Sequence, residues 1–325
     1  MSLEALINVL FISLVQGSVL ALVTFAIVLI FRTSATTNFA QGMVSTFAAF
    51  FSTFLFYSAF GLGDKALNGP IAGSDNITLT LFSILSIVCA MALGFLMGFI
   101  IDVVIFRNSK FANIASKQMI TLGIVLILSA LIPLIFGTTF EWYPPKVVYL
   151  PQDYNWNLVL GDNFTLRIDP SYMISIILCA VILIVLFAVL KLTKWGLGVR
   201  STAANEKVAG LLGVNTRAIS SMTWAIAAGI GSIGAILYAP FVNTVGQGLM
   251  ATMQIDGFLS AIIGSFGSFV GPVVVSYLLP AFKSVIRLLL GQSSMWADTV
   301  LYVVVLTVVL IRPNGFFGKK VQKKV

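Results

Sequence analysis

The stretch Leu79–Phe106 reads LTLFSILSIVCAMALGFLMGFIIDVVIF and carries one charged side chain, Asp102. A helix rises about 1.5 Å per residue, so roughly 20 apolar residues cross the ~30 Å hydrocarbon layer of a bilayer. No water is available there, so each peptide group must find its partner within the segment, as a helix allows. The period-2 alternation of a barrel strand is missing. Leu79–Phe106 is therefore predicted to be a membrane-spanning helix.

The same reading extends along the chain. Runs at Leu6–Phe31, Ile120–Phe136, Tyr172–Leu192 and Val300–Ile311 are nearly as free of charge. The 325 residues are 59% hydrophobic and only 9% charged, with a mean hydropathy of +1.04. Soluble domains carry about 25% charged residues, which excludes that class. Spans are predicted at Leu3–Phe31, Ala40–Phe60, Leu79–Phe106, Lys117–Phe136, Tyr172–Leu192, Ala218–Ala239, Ile255–Phe269, Val273–Leu289 and Asp298–Ile311. The fold class is an all-α polytopic transmembrane helical bundle of about eight or nine spans, with broken or half-helices. It forms one domain over residues 1–325, with an external loop at 137–170, a cytoplasmic loop at 193–217 and a basic tail at 312–325. The first run follows Met-Ser-Leu-Glu without a basic lead, so it reads as a retained helix and not a cleaved signal.

Charge gives an orientation. With Arg107–Lys117 placed in the cytoplasm, fourteen of the nineteen Lys and Arg residues fall on that side. Lys65, Lys146, Arg167, Lys283 and Arg287 fall outside, together with eight of the eleven acids. The positive-inside rule then puts the N-terminus outside and the C-terminus in the cytoplasm. The net charge of +8 is thus a topology signal, and no nucleic-acid partner is expected. There is no histidine, and Cys89 and Cys179 sit inside apolar runs as packing residues. No metal-ligand cluster, paired carboxylate motif or Walker-type phosphate loop is present, so neither a cofactor nor ATP hydrolysis is expected.

One polar stretch between spans, Gly196–Thr216 (GLGVRSTAANEKVAGLLGVNT), is punctuated like a helix. Ser201 or Thr202 is predicted to cap its start, and Glu206 stands in the first turns. Ala204, Val208, Leu211 and Leu212 recur at helical spacing as one apolar face. Gly213 marks a left-handed stop, and Asn215 or Thr216 caps the next helix. Elsewhere, Gly17-Ser18 interrupts an overlong first span, which either tilts or breaks there. Asn38-Phe-Ala-Gln41-Gly42 is a polar knot that either caps the second span or lines a route. Gly94 and Gly98 permit close helix packing, and Gly229, Gly231 and Gly234 smooth a face of the sixth span. Asp102 is expected to pair with Arg107 at the surface. The loop Gly137–Pro170 is expected to hold β-prone pieces at Lys146–Leu150 and Asn157–Ile168, the second folded at Gly161-Asp162-Asn163 into a small hairpin. Trp142, Tyr143, Trp156 and Tyr172 suit an interfacial belt. Gly264, Gly267 and Gly271-Pro272 divide Ile255–Pro272 into half-helices, and the tail Ile311–Lys319 (IRPNGFFGK) ends the last span with basic residues.

In combination these motifs resemble the membrane permeases of bacterial ABC importers for branched-chain amino acids. The resemblance rests on Gly17-Ser-Val-Leu-Ala-Leu with Asn38-Phe-Ala-Gln-Gly42, on Leu158–Ile168 leading into a span, and on Gly196-Leu-Gly-Val-Arg200 through Ala203-Ala204-Asn205 to Leu211-Leu-Gly-Val-Asn215. It is completed by Gly264-Ser-Phe-Gly-Ser-Phe-Val-Gly-Pro272 with Arg312-Pro-Asn-Gly-Phe-Phe-Gly318. Members of the family usually carry histidine where this chain has Gln41, so no imidazole chemistry is available there. The resemblance implies a multi-pass protein of the bacterial inner membrane that works with a second homologous permease subunit, two cytoplasmic ABC ATPases and an extracytoplasmic substrate-binding protein. Arg200, Ala204, Asn205, Glu206, Leu211, Leu212 and Gly213 would form its ATPase-coupling helix. Gly17, Ser18, Asn38, Gln41, Gly264, Ser265 and Gly267 would border the translocation path, with helix N-termini facing the substrate carboxylate. Looser relatives carry urea, amides, simple sugars or nucleosides. An ion-coupled secondary transporter is the competing class, and it would require intramembrane carboxylates, for which Asp102 and Asp256 are the candidates.

Overall fold

The computed structural model describes residues 3–60, 76–108, 113–137, 143–146, 156–159, 165–168, 170–290 and 296–318. Helices α1 (Leu3–Ser34), α2 (Gln41–Ala59), α3 (Asn76–Ile100) and α4 (Ile114–Phe136) come first. A two-stranded ribbon follows, with β1 (Trp156–Val159) antiparallel to β2 (Thr165–Ile168) and Asn157 opposite Arg167. The chain continues through α5 (Pro170–Leu192), α6 (Lys194–Ala204), α7 (Glu206–Leu211), α8 (Thr216–Val242), α9 (Ala251–Gly264), α10 (Val270–Leu290) and α11 (Trp296–Ile311). Among the described residues, seven helices are long and apolar enough to cross a membrane, and α9 and α11 are the shorter members of the bundle. The predicted turn at Gly161-Asp162-Asn163, the candidate strand beyond Lys146, Trp142 and the basic tail beyond Gly318 lie outside the described residues.

The helices divide by burial. In their most apolar windows, α1 is 83% buried and α8 78%, whereas α3, α4 and α5 are 28%, 28% and 22% buried. Helix α1 is apolar all round, as suits a core element. It lies against α10, α8, α9 and α5, and Phe25 is held between Phe187 and Phe269 at ring distances of 5.4 and 5.7 Å. Helix α8 meets a different neighbour at each of its small residues. Gly229 faces Met91 and Phe95 of α3, Gly231 faces Gln41 and Ser45 of α2, and Gly234 faces Val19 and Val23 of α1. Across from it, a methyl on Gly94 would collide with Ser232, and one on Gly98 with the Trp224 carbonyl. The glycine pair therefore packs α3 onto α8, as predicted. The peripheral helices turn their leucines and isoleucines outward, which is the pattern of a lipid-facing layer.

Three local expectations are resolved differently or more narrowly. Helix α1 runs unbroken through Gly17-Ser18. There the missing side chain admits the backbone and ring of Tyr277 on α10, and Ser18 returns its hydroxyl to the Leu14 carbonyl at 2.8 Å. Asp102 does not pair directly with Arg107. A wide π-helical turn over Ile101–Phe106 ends α3 and brings Asp102 to α8, where it accepts from Ser220 at 3.0 Å and Ser221 at 2.6 Å. Arg107 donates to the same Ser221 hydroxyl at 2.7 Å, so a serine stands between the two charges.

The third concerns Lys283, assigned by charge to the outer side of the membrane, whose side chain is buried within the bundle. Its Nζ is 2.9 Å from both carboxylate oxygens of Asp256 and 2.9 Å from Asp298, and Arg287 reaches Asp298 at 3.6 Å. Lys283 and Asp256 are 6% and 5% exposed. This network ties the short helices α9 and α11 to α10. Removing one member would leave a buried charge without a partner, at a cost of about 3–5 kcal/mol.

Candidate functional site

The Gly196–Thr216 stretch forms two helices and not one. Thr193 is extended, and its hydroxyl accepts from Gly196 N–H at 3.0 Å, so α6 begins at Lys194 immediately after α5. A side chain at Gly196 would strike the last carbonyls of α5, and one at Gly198 would strike Ile219 of α8. Val199 is fully buried against α1, α5 and α8. Helix α6 is thereby fastened to the bundle.

The predicted caps shift accordingly. Ser201 donates back to Gly198 within α6, and Thr202 is buried. The break falls at Asn205, which adopts an extended conformation and accepts from Val208 N–H at 3.1 Å, capping α7. The helix was already running from Lys194, so the hydroxyl residues had no free N–H group to cap. The far end follows the expectation. Gly213 has φ +86°, its N–H bonds to the Gly210 carbonyl, and Val214 N–H bonds to that of Ala209. These two bonds make the paired closure that a left-handed glycine permits. Asn215 then caps α8 by accepting from Ala218 N–H at 3.1 Å.

Helix α7 is held at both ends and displays its apolar face outward. Ala209 is buried beneath it, whereas Leu211 is 88% exposed, Leu212 78% and Val208 48%. Ala204, Asn205, Glu206 and Arg200 are exposed beside them. Among the described residues, neither Arg200 nor Glu206 enters an ion pair. The surface lies at the end of the bundle where Arg107, Lys117 and Arg217 gather around one cleft. Two leucines flanked by unpaired charges on a capped helix can fill a groove in a partner while the charges set its register.

The remaining predicted residues fall at three separate places. Gln41 is wholly buried. Its amide donates to the Ala227 carbonyl at 2.8 Å and accepts from Asn38 at 3.3 Å. Asn38 also accepts from Ala40 N–H at 3.0 Å, and its carbonyl receives Gln254 of α9 at 3.0 Å. This knot joins the start of α2 to α8 and α9. Gly17 and Ser18 lie elsewhere, in the contact of α1 with α10. Gly264, Ser265 and Gly267 form the corner between α9 and α10, where Ser265 has φ +78° and its hydroxyl accepts from Gly267 N–H.

That corner has a partner which local sequence did not reveal. The tail after α11 folds back so that Phe316 N–H donates to the Ile263 carbonyl at 2.8 Å. Gly315, at φ +72°, lies against Ser265 and the carbonyls of Ile262 and Ile263, and Phe317 covers Gly271. Two motifs read separately in the sequence are therefore one structural unit, which supplies a hydrogen bond to the open end of α9.

Known proteins resemble this chain in sequence over nearly its whole length. The chain is 23% identical to the high-affinity branched-chain amino acid transport system permease protein BraD of Pseudomonas aeruginosa, over 99% of this chain and 98% of that one. It is also 23% identical to the high-affinity branched-chain amino acid transport system permease protein LivH of Escherichia coli K12, over 95% and 94% of the two chains. Among solved structures, PsaBC from Streptococcus pneumoniae in complex with Fab overlaps 95% of this chain and 91% of that chain at 16% identity, with a TM-score of 0.45. A family model described as the branched-chain amino acid transport system permease component matches residues 9–310, and the chain belongs to that family.

Proposed function

We propose that this chain is a membrane-spanning subunit of an ATP-driven importer that carries branched-chain amino acids into the cytoplasm, and that α6 and α7 receive the driving motion. The substrate class follows the names of the relatives, which cover nearly the whole chain. The observation that carries the coupling role is the outward face of α7, where Leu211 and Leu212 stand exposed on a helix fixed at both ends. Leucines left open to water at a basic end call for a protein cover, and an ATPase groove provides one.

In this reading two ATPases lie on the cytoplasmic side, with the N-terminus of the chain outside. A second homologous permease subunit completes the route, and an extracytoplasmic binding protein delivers the substrate. Within one chain the middle is filled, since α1 is enclosed and Tyr277 occupies the space beside Gly17. The route therefore runs between the two subunits, bordered by the corner at Gly264, Ser265 and Gly267 and by the knot at Asn38 and Gln41. ATPase closure displaces α7, and the close contacts at Gly196 and Gly198 pass that displacement to α5 and α8, rocking one permease against the other. Uptake and ATPase association of Arg200→Glu and Glu206→Arg test the coupling role. Both are expected to fall in each variant, and normal values of both in the two variants would refute it.

One observation favours a second reading. Asp256 is the buried carboxylate that an ion-coupled carrier requires. It is, however, compensated by Lys283, within a network that joins three helices. Uptake that persists with ATP exhausted and a proton gradient intact would favour the ion-coupled reading.

A further inference from the structure

We propose that the cleft between the π-helical end of α3 and the start of α8 binds a phosphate group. The cleft measures about 270 Å³ and is lined by Arg107, Lys117, Arg217, Asp102, Glu206 and Trp224, among others. Three observations specify its occupant.

The first is charge. Among the described residues, none of the three cations has a carboxylate within ion-pair distance. Asp102 accepts from two serine hydroxyls, and Arg107 holds only Ser221. Three positive groups and two carboxylates, Asp102 and Glu206, thus line one space, which leaves positive charge in excess. The second is a buried donor. Trp224 is 1% exposed, yet its indole N–H has no acceptor in the chain. An indole N–H can only donate, so what it lacks is an acceptor, which an oxygen of a bound anion supplies. The third is backbone. The π-helical turn at Ile101–Phe106 gives the cleft its wall, and Phe106 lies 4.7 Å from the Trp224 ring. Such turns are uncommon and concentrate at functional positions.

The chemistry that fits is a phosphate group, tetrahedral and with several accepting oxygens, met by guanidinium, ammonium and indole donors. It has two sources, the headgroup of an anionic membrane lipid and free phosphate. The cleft opens at the basic end of the helices, and basic pockets between transmembrane helices at that level receive lipid headgroups.

The test uses the full-length chain exposed to mixed phosphatidylglycerol and phosphatidylcholine, with each retained lipid quantified by mass spectrometry after purification, and inorganic phosphate as a competitor. Wild-type chain is expected to retain phosphatidylglycerol over phosphatidylcholine. Lys117→Gln with Arg217→Gln should lower that retention about 30-fold, from roughly a fivefold contribution per cation, while Lys117→Arg with Arg217→Lys keeps it. Glu206→Gln should raise it. Arg107 is left in place because it is bonded to Ser221. Unchanged phosphatidylcholine retention and elution profile in the double variant will show that its fold is intact. Phosphate binding without lipid preference, lost in the double variant, would support the site with the soluble source. Equal phosphatidylglycerol retention in wild type and double variant, or neither lipid preference nor phosphate binding in wild type, would overturn the proposal.

Discussion

Leu126 and Leu134 on α4 are 70% and 80% exposed, and Leu211 and Leu212 at the C-terminal end of α7 are 88% and 78% exposed. By exposure alone the two pairs are equivalent. Their surroundings separate them. Helix α4 is long and apolar, and its leucines belong to a layer whose solvent is hydrocarbon, where exposure carries no penalty. Helix α7 is six residues long, is preceded by Arg200 and contains Glu206 and Lys207. Its leucines face water unless a protein covers them. In a membrane protein, an exposed apolar side chain has meaning only once its solvent is named.

That contrast yields opposite outcomes for the same substitution. Leu211→Arg with Leu212→Arg should weaken ATPase association about 100-fold or more, as loss of a central apolar anchor does, and leave chain stability within about 0.5 kcal/mol. Pull-down of the ATPase and thermal denaturation of the purified chain measure the two quantities. Leu126→Arg should do the reverse. A charge at the centre of a lipid-facing helix costs about 2.5–3.5 kcal/mol of insertion, seen as reduced membrane yield, while the inserted fraction binds ATPase normally.

A smaller effect is expected at the cap. Asn205→Ala removes the acceptor for Val208 N–H and should cost about 1 kcal/mol of α7 order, which weakens ATPase association roughly fivefold. Asn205→Asp should restore most of it. The smallest effect is that of Leu126→Ala, which should leave uptake unchanged, whereas Leu212→Ala should reduce it. Equal uptake in these two alanine variants would erase the distinction between the leucine pairs.

Much of this was legible in the sequence, and the reasons differ by element. The long spans follow from apolar runs, because bilayer thickness imposes a length that local composition reveals. Gly213 and Asn215 were legible because a left-handed stop and a cap are local chemistry. The cap at Asn205 was misplaced to Ser201 or Thr202, since the true start of α6 depends on Thr193, outside the polar stretch. What escaped the sequence was long-range. Ser221 between Asp102 and Arg107, Lys283 between Asp256 and Asp298, and Phe316 on Ile263 each join residues with no shared periodicity. Gln41 was legible as a polar group that caps or lines, but its partners were not: its burial and its bond to the Ala227 carbonyl are decided by helix packing and not by local polarity.

The decisive measurement is the labelling rate of a cysteine placed at Leu212 by a membrane-impermeant maleimide, in membranes with and without the ATPase subunits, beside a cysteine placed at Leu126. Leu212→Cys is expected to react readily when the chain is alone and to be protected by the ATPase, while Leu126→Cys stays unreactive in both. Equal labelling of Leu212→Cys with and without bound ATPase would contradict the role assigned to α7.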